Sequence, residues 1–218
     1  VGRAQFFTEH PPMWLSPIRG SDGRSDNAIQ FIETFCKVVK DSIGGKVGAP
    51  VRLRQWQRDL IRGLLTIDAD GHLIHRRGLV GMPRKNGKST LLSSLALWGL
   101  FCGPDGGEVY SLAGDREQAR ITFDAARRMI ELNPDLANRA TVYRNAIEYP
   151  KTGSVWRVVS SDAPLKEGLS PSFCLVDEVH VISQELWDVM SLASGSRQEP
   201  LMVGITTAGV MTDRLGNP

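Results

Sequence analysis

Lys88, Ser89, Asp177 and Glu178 are the residues whose types and spacing could do chemistry on a phosphate ester. The stretch Pro83-Arg84-Lys85-Asn86-Gly87-Lys88-Ser89-Thr90 carries the Gly-Lys-Ser that closes a phosphate-binding loop. Backbone N–H groups in such a loop converge on phosphate oxygens, and the helix that follows adds the partial positive charge of its N-terminus. Lys88 would reach the β- and γ-phosphates of a nucleotide, and Ser89 would hold Mg²⁺. The usual pattern has Gly five positions before Gly87, where this chain has Met82. Taken alone, Gly-Lys-Ser also fits a basic surface turn leading into a helix.

A second motif weighs against that plainer reading. Ser172-Phe173-Cys174-Leu175-Val176 is an apolar run followed by Asp177-Glu178-Val179-His180. A short run that is apolar on both faces fits a buried parallel strand. Ligands of open α/β sheets sit beyond the carboxyl ends of the strands, which puts Asp177 and Glu178 at the mouth of the site. Asp177 is suited to the Mg²⁺ shell and Glu178 to polarising the attacking water. On its own the pair would be an ordinary acidic turn. Leu201-Met202-Val203-Gly204-Ile205 is a further buried-strand candidate, ending in Thr206-Thr207, whose hydroxyls could sense the γ-phosphate. Gln57, beside Trp56, could read an adenine edge with its two-way amide. Without the other motifs it would be a solvated glutamine. His180 reads as a gatekeeping hydrogen-bond partner or, at least as readily, as a structural histidine after the acidic pair.

These residues need elements to hold them. Residues 1–26, rich in Pro, Gly, Ser and charge, read as an arm, and 27–218 as one domain. A helix is expected over 27–40, capped by Ser25 or Asp26. Next comes an amphipathic helix with Leu53, Trp56, Leu60, Ile61 and Leu64 on one face. Strands are expected at about 78–82, 108–113, 154–160, 172–176 and 201–205, with helices at about 88–101, 115–132 and 183–192. Residues 146–160 read as a hairpin turning at Pro150-Lys151-Thr152-Gly153. Alternating strands and helices argue for an α/β fold, a mainly parallel sheet with helices on both faces.

Composition narrows the partners. At 218 residues and 41% apolar, the chain can build one large core. No apolar run approaches the ~18 residues of a membrane-spanning helix, so no membrane partner is expected. Cys36, Cys102 and Cys174 lie far apart with no metal spacing and read as buried reduced thiols. A net charge of +2 does not announce a nucleic-acid binder. Arg54, Arg58 and Arg62 share a helix face that could meet DNA phosphate, or simply be solvated.

In combination these motifs resemble the N-terminal ATPase domain of tailed-bacteriophage large terminases. Pro83 to Ser89 resembles that family's deviant phosphate loop, which accepts a residue other than Gly where Met82 stands. Asn27 to Glu33 and Leu53 to Gln57 resemble its N-terminal helix and adenine-reading segment. Asp115 to Ala119, and Ser160 to Ala163 through Gly168 to Pro171, resemble the segments after its second strand and before its acidic strand. Ile205-Thr206-Thr207-Ala208-Gly209 resembles its coupling motif. The resemblance implies a P-loop NTPase fold of the RecA/ASCE type. It implies an ATP-hydrolysing motor, with ATP and Mg²⁺ as cofactors, that drives double-stranded DNA into a procapsid. The implied partners are a portal protein, a small terminase subunit and sister copies in a ring of five, all in the host cell cytoplasm. The nuclease domain of such proteins is not expected in this chain. Catalytic roles fall to Glu178, Lys88 and Arg84, nucleotide contacts to Gln57, Pro83 to Thr90, Thr206 and Thr207, and metal binding to Ser89 and Asp177. A neighbouring subunit would add a cation, for which Arg127, Arg128, Arg139, Arg144 and Lys166 are candidates. The competing readings are a helicase of the Asp-Glu-x-His class and a nucleotide-gated interaction module without turnover.

Overall fold

The central strands alternate between two apolar faces, and this decides the architecture. On Phe173–Asp177, Phe173 and Leu175 join one core while Cys174 and Val176 join a second on the opposite face. Successive side chains of a strand point to opposite sides, so a strand apolar at every position must be covered on both. The computed structural model describes residues 23–42, 45–83, 85–114, 116–160 and 168–207. In chain order these form α1 (Arg24–Phe35), α2 (Gln55–Leu64), β1 (Arg77–Gly81), α3 (Lys88–Cys102), β2 (Glu108–Ala113) and α4 (Arg116–Glu131). Then come α5 (Pro134–Ala137), β3 (Thr141–Val142), β4 (Ala146–Tyr149), β5 (Ser154–Ser160), β6 (Phe173–Asp177), α6 (Gln184–Ala193) and β7 (Leu201–Thr206).

The strands form one sheet in the order β1-β7-β6-β2-β5-β4-β3. The first five are parallel, and β4 and β3 add antiparallel strands at the far side. The larger core packs α1, α3 and α4 on one face, and the smaller packs α6 on the other through Leu186 and Met190. The expected α/β sheet covered on both faces is therefore present. α3 is buried from Leu91 to Cys102, so it is a central helix rather than a surface one. The five expected strands and the expected hairpin all form, with β3 and α5 in addition.

Two expectations are corrected. The first helix spans Arg24–Phe35 rather than 27–40; its N-cap is Gly23, and Ser25 and Asp26 lie within the first turn. It ends early because Cys36 turns extended and Lys37 pairs with Pro50 in an antiparallel bridge. Trp56 does not join the buried face of α2: it is 38% exposed, whereas Leu53, Ile61 and Leu64 are buried. The arginine face of α2 is turned toward α1. Arg58 holds the Glu33 carboxylate at 2.8 and 3.0 Å, and Arg62 reaches Asp26 at 3.3 Å. Those charges tie two helices together. The expected arm, apart from Gly23 and the first residues of α1, lies outside the described residues, as do Arg84, Asp115, Lys166, Ala208 and Gly209.

One buried polar pair fixes α1 on α3. The Trp98 indole Nε1–H donates to Asn27 Oδ1 at 2.8 Å, and Asn27 is 3% exposed. Asn27→Ala would leave that N–H buried without an acceptor, at a cost of about 2 kcal/mol. Urea denaturation should show the lowered midpoint, and an unchanged midpoint would mean the pair contributes nothing net.

Candidate functional site

The phosphate loop leaves β1, and the structure brings the acidic pair to it across one intervening strand. β1 pairs with β7 in parallel, Gly81 opposite Thr206, and β7 pairs with β6, Ile205 opposite Asp177. All three carboxyl ends thus open on one edge of the sheet, where ligands of parallel sheets gather. Met82 explains its own departure from the glycine pattern. Its N–H donates to the Thr206 carbonyl at 2.9 Å and its side chain is buried at 4% exposure, so this position packs into the core and needs no glycine.

The loop's backbone is bent as an anion cradle requires. Gly87 is the N-cap of α3 with φ 79°, and Lys85 takes φ 66°. Left-handed residues among right-handed ones turn successive N–H groups toward one point. Lys85 and Glu178, at φ 54°, are the positive-φ non-glycine residues among the described set. Both lie at this site, and such local strain gathers where function holds it in place. Asn86 Nδ2 donates to the Pro83 carbonyl at 3.3 Å and closes the loop on itself. Ser89 and Thr90 open α3 half-buried. Gln57 borders the loop: a Cβ built on Gly87 would stand 3.9 Å from its Nε2. Its Oε1 accepts from the Arg54 N–H at 2.9 Å, so the amide's acceptor end caps α2 and its donor end faces the loop.

Lys88 meets both carboxylates. Its Nζ forms an ion pair and hydrogen bond with Glu178 Oε1 and stands 3.9 Å from Asp177 Oδ1. Glu178 Oε2 accepts from the Thr207 N–H at 3.2 Å and the Thr207 hydroxyl at 3.3 Å, with His180 Nδ1 at 3.4 Å. His180 Nδ1 also lies 2.8 Å from Thr206 Oγ1. Burial pushes the Asp177 carboxyl above its usual value against the pull of Lys88. Burial also pushes Glu178 up, but the hydrogen bonds from Lys88 and Thr207 outweigh it and bring the group below its usual value. Two neighbouring carboxylates driven apart in this way can take different roles.

Asp177 Oδ1 is buried and has no hydrogen-bond donor. A buried acceptor left bare is costly, and it suits a group that serves a cation. No cluster of three or more His, Cys, Asp or Glu suited to a metal occurs among the described residues. Mg²⁺ does not need one, since it is commonly held by one or two protein oxygens together with substrate phosphates and water. Asp177 and Ser89 fit that kind of binding.

The sequence marked Thr206 and Thr207 as possible γ-phosphate sensors and His180 as a possible hydrogen-bond partner, but not their meeting at Glu178. Their contact with Glu178 depends on β7 lying between β1 and β6. Among the remaining cation candidates, Arg127 pairs with Asp124 and Glu131, and Arg128 with Glu131, all on their own helix. Arg144 is exposed in the turn between β3 and β4. A cavity of about 420 Å³ between α3 and the starts of β6 and β7 had no sequence signal; Trp98, Cys102, Phe173 and Leu201 supply its apolar wall.

Comparison with known proteins bears on the same region. Residues 72–216 match the family described as "Terminase large subunit, ATPase domain". The large terminase subunit of Enterobacteria phage HK97 is 30% identical over 193 residues, covering 84% of this chain and 36% of that protein. That of Lactococcus phage p2 is 25% identical over 171 residues, covering 74% of this chain and 32% of its own. The chain therefore spans about a third of the length of these relatives. The crystal structure of the HK97 large terminase superposes with a TM-score of 0.73 at 27% identity, covering 84% of this chain and 37% of that one. The large terminase ATPase domain of Thermus phage P74-26, at 22% identity and TM-score 0.53 over 73% of this chain and 72% of that one, shares the fold.

Proposed function

We propose, for a chain that belongs to the terminase large-subunit family through its ATPase domain, that this domain hydrolyses ATP to drive double-stranded DNA into a viral procapsid. The observation that carries the reading is the meeting of Lys88, Asp177 and Glu178 at the carboxyl edge of the sheet beside a phosphate loop. Lys88 and the loop N–H groups bind the β- and γ-phosphates, with Pro83 to Thr90 as the cradle and Gln57 at its border. Arg84, within the same loop, adds charge to the γ-phosphate. Asp177 and Ser89 would hold Mg²⁺, which would offset phosphate charge.

Glu178 accepts a proton from water at a carboxylate oxygen. The water oxygen bonds to the γ-phosphorus, the bond to the bridging oxygen breaks, and its electron pair leaves on ADP. Thr206 and Thr207 stand at the γ-phosphate end of the site, where loss of phosphate would be felt first.

The partners that follow are a portal protein, a small terminase subunit and sister copies in a ring of five, acting in the host cytoplasm. No helix among the described residues is long and apolar enough to cross a membrane. The neighbour's cation is best supplied by Arg144. β4 runs antiparallel to β5, so the exposed β3–β4 turn points toward the carboxyl edge of the parallel strands. Arg127 and Arg128, paired on their own helix, are weaker candidates, and Arg139 and Lys166 stand as alternatives.

The test is phosphate release from ATP and Mg²⁺ by the purified chain, paired with nuclease protection of DNA packaged by the full-length protein on procapsids. Slow turnover without DNA cleavage is expected of the chain alone, and ATP-dependent protection of the whole protein. ATP turnover that moves no DNA would overturn the motor reading. Strand separation in its place would favour a helicase.

A further inference from the structure

The cavity of about 420 Å³ lies at the end of the sheet away from the phosphate loop, and it is lined as a seat for apolar side chains. Leu65, Leu73, Trp98, Cys102, Phe173 and Leu201 form its wall. The charged groups of the lining are paired already. The Arg24 guanidinium donates to Glu199 Oε2 at 2.7 Å, and Glu199 Oε1 accepts from the Leu73 N–H at 3.1 Å. Arg197 donates from Nε to the Ser170 carbonyl at 3.0 Å and from Nη2 to the Gly106 carbonyl at 2.9 Å. The Ser172 hydroxyl donates to the Glu108 carbonyl at 3.0 Å. With Arg24, Arg197 and Glu199 held in this way, the cavity suits an apolar occupant better than an ion. Covering an apolar wall of this extent is favourable in water.

The chain itself carries a matching segment. Residues 1–22 lead to Gly23, the N-cap of α1, and the next residue, Arg24, lines the cavity. The bulky apolar side chains that precede α1 most closely are Met13, Trp14, Leu15 and Ile18. Trp14 stands nine positions before Gly23, and nine residues span up to about 30 Å, so the tether is long enough to bring it to the cavity. Pro11, Pro12 and Pro17 reduce the backbone freedom that is lost when the segment is held. We infer that Met13-Trp14-Leu15 docks in the cavity of its own chain, with the Trp14 indole as the anchor. Aromatic anchors in apolar pockets carry most of the energy of such contacts. A tether this short holds the segment at an effective concentration of about a millimolar, which favours its own chain over a second copy. The occupant packs on the last turn of α3, so docking braces the far end of the helix that begins at Lys88.

A fluorescently labelled peptide of residues 8–20 tests this by anisotropy. It should bind the Trp14→Ala chain at least about tenfold more tightly than the unaltered chain, whose own segment competes for the cavity. Leu73→Gln, which puts an amide into the apolar wall, should weaken peptide binding to the Trp14→Ala chain by about tenfold. Urea denaturation supplies a second measurement that needs no peptide. Trp14→Ala and Leu73→Gln should each lower the midpoint, and the double variant should lower it by less than the two shifts together, because the residues touch. Equal peptide binding by the unaltered and Trp14→Ala chains, or additive midpoint shifts, would overturn the docking. Sedimentation of the unaltered chain as a dimer and of Trp14→Ala as a monomer would place the segment in the cavity of a second copy. A small apolar dye that binds both chains equally, with no uptake of peptide by either, would assign the cavity to another ligand. Either of these last results also overturns docking within one chain.

Discussion

Lys88→Ala is expected to abolish ATP turnover, by at least ~100-fold, and to weaken nucleotide binding. Phosphoryl transfer develops charge on the γ-phosphate oxygens, and a fixed cation in a site with little water is worth orders of magnitude in rate. Lys88 is placed for this at the first turn of α3, with 12% of its side chain exposed. Its ion pair with Glu178 shows that the ammonium reaches the acidic strand and the loop from one position. Removing the ammonium also leaves the Asp177 and Glu178 carboxylates facing each other without a counter-ion. Glu178 keeps its two Thr207 donors, so the fold should survive. Phosphate release, analogue titration and circular dichroism on the same preparation would check all three points. Near-normal turnover in a folded Lys88→Ala chain would sink the assignment of the loop.

The second large effect separates binding from chemistry. Glu178→Gln keeps the size of the side chain and an oxygen to accept from Thr207, but it has no carboxylate to take a proton. Turnover should fall at least ~100-fold, the usual contribution of a positioned general base. ATP binding should be almost normal, because Lys88 and the loop are untouched. Geometry supports Glu178 rather than Asp177 as the base: the Thr207 N–H and hydroxyl hold the Glu178 carboxylate at Oε2, while Asp177 presents a bare buried oxygen suited to a cation shell. Analogue binding measured beside single-turnover hydrolysis distinguishes the roles. Wild-type hydrolysis by Glu178→Gln would falsify the base assignment and move the search to another carboxylate.

Much of this was legible in the order of residues, because it depends on local regularities. The apolar run Phe173 to Val176 fits a strand covered on both faces, and Gly87-Lys88-Ser89 ahead of Leu91 and Leu92 fits the opening of a helix. Alternation of such segments forced a mainly parallel sheet, since parallel strands need a crossover between them. The five strand positions and the two motifs followed from that periodicity. Near misses came where local pattern was ambiguous. The helix expected over 27–40 ends at Phe35, because the bridge from Lys37 to Pro50 claims the following backbone. Trp56 fits an amphipathic stripe, yet α2 begins only at Gln55, and the stripe's first turn faces outward.

Strand order was decided by tertiary structure alone. Sequence spacing cannot say that β7, the last strand described, lies between the first and the sixth, because parallel neighbours are chosen by packing of their connecting helices and by nothing within the strand itself. That insertion brings Thr207 to Glu178, turns Met82 into a buried residue bonded to Thr206, and ties the phosphate loop to the acidic strand. It also decided the fate of the arginines on α2. Their spacing describes a helix face, but only the packing of α2 on α1 puts Glu33 and Asp26 opposite Arg58 and Arg62 and makes them structural. Chemistry-bearing residue types announce themselves in one dimension, whereas partners distant in sequence are set by which faces the core must bury.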